Sequence, residues 1–300
     1  AALLLTLVLM ALVIVGLGVG ALLRRLAQRR AGSGKRPRMH LARRALAARV
    51  TMVAVVAVYI AVMLALALLS VAGVWSFPAL WPQRASFEAW STVGGSLPVL
   101  GVTALLALAA SFTGVVLAVA WMETTPPAWD RRAAPLVFAP MLIPGVLLVA
   151  GLYQVALHLR LDGSLAGLWL AHSLFSAPYA LVALAPAYRG FDARYEQTAR
   201  ALGRSRAAFL LRIKWPMLLA PIASAAAVGF AVSVAQYLST QFVGAGRHAT
   251  VTTEALTLAS GGQRTLMAAF ALLQALLPAL AFGGAWWVAR RQAKRVGTEA

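Results

Sequence analysis

The chain has 300 residues, of which 61% are hydrophobic and only 12% are charged, and its formal net charge is +19. About 25% of the residues in a typical soluble domain are charged, so this composition excludes an ordinary soluble domain and indicates a polytopic membrane protein. The basic residues fall in blocks between apolar stretches, not on one arm or folded face, which argues against nucleic acid as a partner. Because the sequence has no cysteine, thiol chemistry and Cys-ligated metals are excluded.

Seven apolar stretches are long enough to cross a membrane, since about 20 mostly apolar residues in a helix span the hydrocarbon core. None of them contains Asp, Glu, Lys or Arg, so we expect no ion pair or proton relay within these spans. The sequence therefore predicts an all-α, polytopic membrane helix bundle. The predicted spans are 2–23, 50–75, 91–121, 134–157, 166–187, 215–240 and 265–289.

The amino-terminal part of the chain has two distinct segments. Residues 1–23 are apolar without a preceding basic segment, unlike a signal peptide, and this pattern is typical of a fragment of a longer chain. Residues 24–49 are strongly basic, and Gly32, Gly34 and Pro37 disfavour a continuous helix there. We expect a solvated linker attracted to anionic lipid. Its GSGK sequence lacks the first glycine and the final Ser or Thr of a phosphate-binding loop, so the chain is expected to have no nucleotide site.

The distribution of Lys and Arg predicts the orientation in the membrane. Most of them lie in segments 24–49, 122–133 and 188–214 and in the tail after residue 289, which alternate along the chain so that they share one side. Short basic loops stay in the cytoplasm. The amino terminus is then outside and the carboxyl terminus cytoplasmic. The basic residues left on the opposite side are Arg84, Arg160, Arg247 and Arg264.

Two groups of polar side chains interrupt the central spans, each with spacings that place its members on one helix face. They are either interhelical hydrogen-bonding groups or the lining of a substrate path. Because no second metal ligand lies at helical spacing from the histidine, we expect it to be hydrogen-bonded within the bundle. The first group is His172, Ser176 and Tyr179, and the second is Ser233, Gln236, Tyr237 and Thr240.

A polar segment, EQTARALGRSRAAFLLRIKWP at 196–216, separates the fifth and sixth of the seven stretches. Asp192 is a suitable N-cap for a helix from Ala193, Gly203 permits a left-handed stop, and Ser205 is placed to cap a second helix ending near Ile213. The segment is predicted to be a helix–turn–helix on the cytoplasmic face. An amphipathic loop lying on anionic headgroups is the alternative interpretation.

The same segment resembles the EAA loop of ABC-importer permeases. The family pattern is Glu-Ala-Ala, three residues, Gly, nine residues, Ile, one residue and Leu-Pro, and the preceding GFDARYEQTARALG is similar to the family's usual lead-in. This chain departs from the pattern at Gln197, Thr198 and Trp215, and Gln197 removes a charge that pairs with the ATPase. The residues that the resemblance implies for coupling to the ATPase are Glu196, Gln197, Thr198, Ala199, Gly203, Ile213 and Pro216.

The resemblance implies a type I ABC importer permease fold in the bacterial inner membrane, without a cofactor, a catalytic site or a metal site. In that family the loop is a coupling helix that sits in a groove on a separate ATPase subunit, which is a homodimer. A periplasmic or lipid-anchored substrate-binding protein delivers the cargo to the outer surface. Glu254, Arg247 and Arg264 are candidates for docking it there, although a solvated loop is the simpler explanation for each of them.

The resemblance also implies a domain organisation. Residues 50–300 look like one six-helix permease unit with its coupling loop at 188–216. Residues 1–23 would then be the last helix of a preceding unit, joined by the linker 24–49. The chain resembles the carboxyl-terminal half of the double-length permeases of thiamine and ferric iron importers, and the missing half would be the second permease unit. The run from Val234 to Thr265 is similar to a thiamine-like branch, so the expected cargo is thiamine-like or another small solute.

Two other functions fit a chain of this composition. An ion-coupled secondary carrier usually has ionisable residues inside the membrane, and only His172 qualifies, although Na⁺ bound by backbone carbonyls stays open. A scaffold whose basic loop holds lipid requires no site at all. An intramembrane enzyme is excluded because the spans contain neither paired acids nor a histidine cluster.

Overall fold

The computed structural model describes residues 38–73 and 82–298. The described chain is helical, and its only bridge between extended segments is an isolated antiparallel one from Ala72 to Ala85. The predicted span 2–23 and the linker as far as residue 37 lie outside the described residues. The helices are α1 Arg38–Ser70, α2 Glu88–Gly95, α3 Leu97–Thr124, α4 Pro127–Val137, α5 Ala139–Leu142, α6 Gly145–His158, α7 Leu165–Arg189, α8 Arg194–Ala201, α9 Arg206–Met217, α10 Leu219–Val234, α11 Leu238–Val243, α12 Val251–Ser260 and α13 Arg264–Thr298.

Four of the described helices are long and apolar enough to cross a membrane: α1, α3, α7 and α13. Helices α9 and α10 together form a fifth candidate, although they meet at a bend of 74°. The all-α, polytopic bundle predicted from the sequence is therefore confirmed. Helix α1 starts at Arg38, immediately after Pro37, so the last part of the predicted linker 24–49 is helical.

The stretch 134–157 is not the single span that its hydropathy predicts. Helix α4 ends at Val137, α5 has four residues, and α6 has 14, fewer than the roughly 20 needed to cross the hydrocarbon core. Prolines explain the breaks, since proline lacks an N–H group and forces the preceding residue out of the helical region. Ile143, just before Pro144, accordingly has an extended backbone with ψ 135°.

The predicted span 215–240 also differs from the structure. Helix α10 ends at Val234, and the chain resumes as α11 only at Leu238. The hydroxyl of Thr252, at the start of α12, donates to the free carbonyl of Val234 at 2.5 Å. Thr240, predicted to continue the span, therefore belongs to a separate short helix.

The core of the bundle lies where α3, α7, α10 and α13 pack together. Small residues allow close approach of the helices, as is usual in membrane proteins. A Cβ atom at Gly114 of α3 would lie 3.3 Å from the Cα of Ala177 on α7, and one at Gly229 of α10 would lie 3.3 Å from the Cα of Ser111 on α3. The Ser111 hydroxyl donates to the carbonyl of Ala226 at 2.6 Å, which joins α3 to α10.

The bundle has two distinguishable ends. At the loop end, the last turn of α3, the segment from α8 to the start of α10 and the carboxyl-terminal half of α13 meet. At the far end, Thr265 of α13 donates to the carbonyl of Ala72, and Gly163 donates its N–H to the carbonyl of Val243. The polar segment 196–216 therefore lies at one end of the bundle and the chain after α11 approaches the other.

Candidate functional site

The segment between α7 and α10 begins with the helix that its sequence predicts. Asp192 accepts a hydrogen bond from the N–H of Arg194 at 2.9 Å, and α8 begins at Arg194, one residue later than expected. Glu196 lies in the first turn, where its charge favours the helix, and it pairs with Arg200 at 2.5 Å.

Gly203 ends this helix in the left-handed conformation, with φ +71°. The N–H of Gly203 donates to the carbonyl of Arg200, and the N–H of Arg204 donates to that of Ala199, both at 2.9 Å. These two bonds form a Schellman motif, which satisfies the last carbonyls of α8. Ser205 then caps α9 by accepting from the N–H of Ala208 at 3.2 Å. The predicted glycine stop and serine cap are both confirmed.

Helix α9 is irregular in its second half. Residues Leu210–Lys214 form a π-helical turn, in which the N–H of Trp215 donates to the carbonyl of Leu210. Pro216 follows directly and lacks an N–H group for a helical bond. The 74° bend comes two residues later, at Leu218. A wide turn and a proline are both recognised causes of such a bend, so α9 lies across the end of the bundle and does not continue straight into α10.

Gln292 of α13 is bonded to the backbone at this bend. Its side-chain amide donates to the carbonyls of Pro216 at 3.1 Å and Met217 at 2.7 Å, and its amide oxygen accepts from the N–H of Ala220 at 3.0 Å. These are backbone groups that an uninterrupted helix would satisfy internally. The bend is therefore joined to the last helix of the chain.

Glu123, in the last turn of α3, is the centre of a polar cluster that the sequence analysis missed. Its carboxylate accepts hydrogen bonds from the ammonium group of Lys214, from the hydroxyl of Tyr188 at 2.6 Å and from the guanidinium group of Arg206 at 3.0 Å. The indole of Trp215 donates to the same tyrosine oxygen at 3.1 Å. The sequence does contain a signal for this cluster. Glu123 is an acidic residue at the end of the apolar stretch 91–121, on the same predicted side of the membrane as the basic segment 188–214.

The residues that match the family pattern differ in exposure. Gln197, Thr198, Gly203 and Pro216 are exposed, Glu196 and Ile213 are half-buried, and Ala199 is buried. Leu202, at the turn, is 73% exposed. The segment thus presents a polar helix face and an apolar tip at the surface, while its second helix is bonded to the bundle.

The structure brings together three of the polar residues predicted in the spans. His172 bonds to the Ser233 hydroxyl through Nδ1 at 2.8 Å and to the Thr240 hydroxyl through Nε2 at 3.0 Å, and all three side chains are buried. Ser176 instead donates to the carbonyl of Ala110 on α3 at 3.0 Å. His172 is therefore hydrogen-bonded within the bundle, as expected.

Of the other three predicted span residues, Gln236 contacts this cluster through its backbone, since its carbonyl accepts a hydrogen bond from the Thr240 hydroxyl at 2.9 Å. Tyr179 is 37% exposed, Tyr237 is half-buried at the break before α11, and Gln236 accepts a hydrogen bond from the hydroxyl of Ser239. Among the described residues, no group of three or more His, Asp or Glu side chains could hold a metal ion.

Comparison with known proteins places the chain in a family. No family model matches it. It is 41% identical over 192 residues to the inner membrane ABC transporter permease protein YnjC of Escherichia coli, across 64% of this chain and 36% of YnjC. It is also 32% identical over 154 residues to the "Putative ABC transporter permease protein ORF1" of Streptomyces antibioticus, across 51% of this chain and 67% of that protein. The chain belongs to the ABC transporter permeases.

The permease has more distant similarity to other members. It is 26% identical over 113 residues to the spermidine/putrescine transport system permease protein PotC of Haemophilus influenzae, across 38% of this chain and 44% of PotC. It spans about a third of the length of YnjC. These relatives are permease proteins of transport systems and not enzymes themselves. The permease is accordingly a multi-pass inner-membrane protein.

Proposed function

We propose that the permease forms the substrate path of an ABC importer and that residues 196–216 couple it to a separate ATPase subunit. The observation that carries this proposal is the structure of the loop. It consists of two short helices joined by a turn at Gly203, and Gln197, Thr198 and Leu202 are exposed at its surface. Rigid elements of this kind transmit rigid-body motion, whereas a flexible loop would absorb it.

The proposal includes several partners. An ATPase homodimer would bind the surface of the coupling loop. The residues that form this surface or support it from below are Glu196, Gln197, Thr198, Ala199, Gly203, Ile213 and Pro216. A substrate-binding protein would dock at the far end, where Arg247, Glu254 and Arg264 lie, and a second permease unit, with the lipid bilayer around both, would complete the path. Neither the ion-coupled carrier nor the lipid-holding scaffold gains support from the relatives.

The cargo is proposed to be a small solute, with a thiamine-like cation as the first candidate. Tyr179, Tyr237 and Gln236 are the better candidates for contacting it, because their side chains are at least partly exposed. His172, Ser176, Ser233 and Thr240 already bond to other helices, and would reach a solute only if those bonds opened.

The proposed orientation puts the loop end in the cytoplasm and the far end outside. Because these 300 residues contain no cysteine, one introduced cysteine reports its own side. Leu202→Cys should react with a membrane-impermeant maleimide only in inside-out vesicles, and Arg84→Cys only in right-side-out vesicles. The reverse pattern would overturn the orientation.

Gly203 provides the test of the coupling role. Gly203→Pro is incompatible with φ +71° and also removes the N–H that bonds to Arg200, whereas Gly203→Asn retains both features, since asparagine tolerates the left-handed region. In the reconstituted complex, the proline variant should insert normally but lose stimulation of ATP hydrolysis by the binding protein. The asparagine variant should keep most of it. Full stimulation in an inserted Gly203→Pro complex would refute the role.

A further inference from the structure

We infer that Glu123 is a positioning residue that fixes the second helix of the loop to the ends of α3 and α7. Its carboxylate is the point where three otherwise separate parts of the chain meet: Glu123 itself on α3, Tyr188 on α7, and Lys214 with Arg206 on α9. Only the consequence for coupling rests on the proposed function. The placement of the loop by Glu123 stands on the contacts alone.

The ion pair between Glu123 and Lys214 is the principal contact of this cluster. Both side chains are largely shielded, with 13% and 14% of their surfaces exposed. The Lys214 ammonium also lies 4.1 Å from the centre of the Tyr188 ring, so it is held between a carboxylate and an aromatic face. Removal of Glu123 would leave the shielded ammonium of Lys214 without a carboxylate, and removal of Lys214 would leave Glu123 with the more exposed Arg206 as its charged partner. The first change in particular is costly.

The contact from Arg206 contributes less. Its guanidinium group also donates to the backbone carbonyl of Glu123 at 2.9 Å, but the arginine side chain is 59% exposed. Exposed ion pairs contribute little because water and salt screen them. Among the polar contacts of α9 with α3 and α7, those among Glu123, Lys214 and Tyr188 should therefore matter most.

The chain is turned or bent on both sides of α9. The chain enters it through the Gly203 turn and leaves it through a π-helical turn and the 74° bend at Leu218. Glu123 links the middle of this path to α3, and Gln292 links its end to α13. With both links present, displacement of the loop is passed to α3, α7 and α13, and not to α10 alone.

The placement is measurable in the full chain by spin labelling, which the cysteine-free sequence allows. One label is placed at Leu202→Cys in the loop, 73% exposed, and the other at Leu108→Cys on α3, 62% exposed. The distance distribution between them is then recorded in lipid nanodiscs, for the parent and for Glu123→Gln and Lys214→Met. Glu196→Gln is the matched control, because its carboxylate pairs with Arg200 within the same short helix.

We expect Glu123→Gln and Lys214→Met to broaden the distance distribution roughly twofold, whereas Glu196→Gln and the charge-conserving Lys214→Arg leave it near that of the parent. An unchanged distribution in a correctly inserted Glu123→Gln protein would overturn the inference. If that variant does not fold, Tyr188→Phe provides the milder test. It keeps both charged partners and removes only the hydroxyl, with its bond to the carboxylate and the bond that it accepts from the Trp215 indole. It should broaden the distribution to a smaller extent, and no change there would also overturn the inference.

The consequence for coupling is measured separately with the ATPase subunit present. Labels at Leu108→Cys on α3 and Val182→Cys on α7 report movement of the bundle when ATP is added. In Glu123→Gln the ATPase should still bind, but the ATP-dependent change should fall by about fivefold or more, the lower end of ordinary coupling between sites. If the ATPase fails to bind the parent, the proposed function is wrong while the placement result stands. A full ATP-dependent change in Glu123→Gln would show that Glu123 does not transmit the motion.

Discussion

The buried histidine of α7 leads to a quantitative prediction about stability. His172→Leu keeps an apolar side chain in the site and removes both hydrogen bonds, to Ser233 and to Thr240. Hydrogen bonds between membrane helices contribute about 0.6 kcal/mol each on average and at most about 1.7. The two bonds together therefore correspond to about 1.2 kcal/mol, with an upper bound of about 3.4.

The lower value is the better expectation for this site. After the substitution, the Thr240 hydroxyl keeps its bond to the carbonyl of Gln236 at 2.9 Å. Serine hydroxyls in helices can also turn to a carbonyl one turn back, so Ser233 need not remain unsatisfied. We expect His172→Leu to lower the free energy of unfolding by about 1 kcal/mol.

The assay is unfolding in mixed micelles as the fraction of denaturing detergent is raised. Tyr179→Phe is the control, because it removes a hydroxyl from the same helix that has no hydrogen-bond partner among the described residues. It should change the free energy by less than about 0.5 kcal/mol. A double-mutant cycle of His172→Leu with Ser233→Ala should give a coupling of about 0.6 kcal/mol. Strict additivity, or equal effects of His172→Leu and the control, would refute this reasoning.

Two further predictions concern helix contacts. Gly114→Val would place a branched side chain where a Cβ atom alone would already lie 3.3 Å from the Cα of Ala177. It should lower the free energy of unfolding by about 1–3 kcal/mol in the same assay. An unchanged free energy would mean that α3 and α7 are farther apart at this point than the structure has them. Gln292→Leu removes three hydrogen bonds at the bend. At about 1 kcal/mol per bond, it should raise hydrogen exchange of the backbone amides near Ala220 by about fivefold if one bond governs the opening and by about 150-fold if all three do. Unchanged exchange would dismiss Gln292 as a link.

Local chemistry explains why the loop could be predicted from sequence. Gly203 and Ser205 act on backbone groups within five residues of themselves, so the glycine stop and the serine cap follow from the residue types alone. The long apolar stretches likewise predicted an all-α fold. In lipid, a single span can form hydrogen bonds to all its backbone N–H and C=O groups only as a helix.

Contacts between distant residues explain what could not be predicted. Glu123 and Lys214 are 91 positions apart. A glutamate and a lysine in two different loops do not by themselves indicate that these two side chains will pair. The break after Val234 has no proline or glycine to mark it, and it is accompanied by a hydrogen bond from Thr252. The broken stretch 134–157 is different, since Pro135, Pro140 and Pro144 were visible and average hydropathy concealed them.

The central claim is that a separate ATPase subunit acts on the exposed tip of the loop. The most direct measurement is the rate at which a single Leu202→Cys reacts with a maleimide in inside-out vesicles, before and after addition of the purified ATPase subunit. The exposed tip should become protected when the ATPase binds, while Leu136→Cys, at a site 79% exposed on α4, should keep its rate. An unchanged rate at Leu202→Cys with the ATPase demonstrably bound would contradict the account.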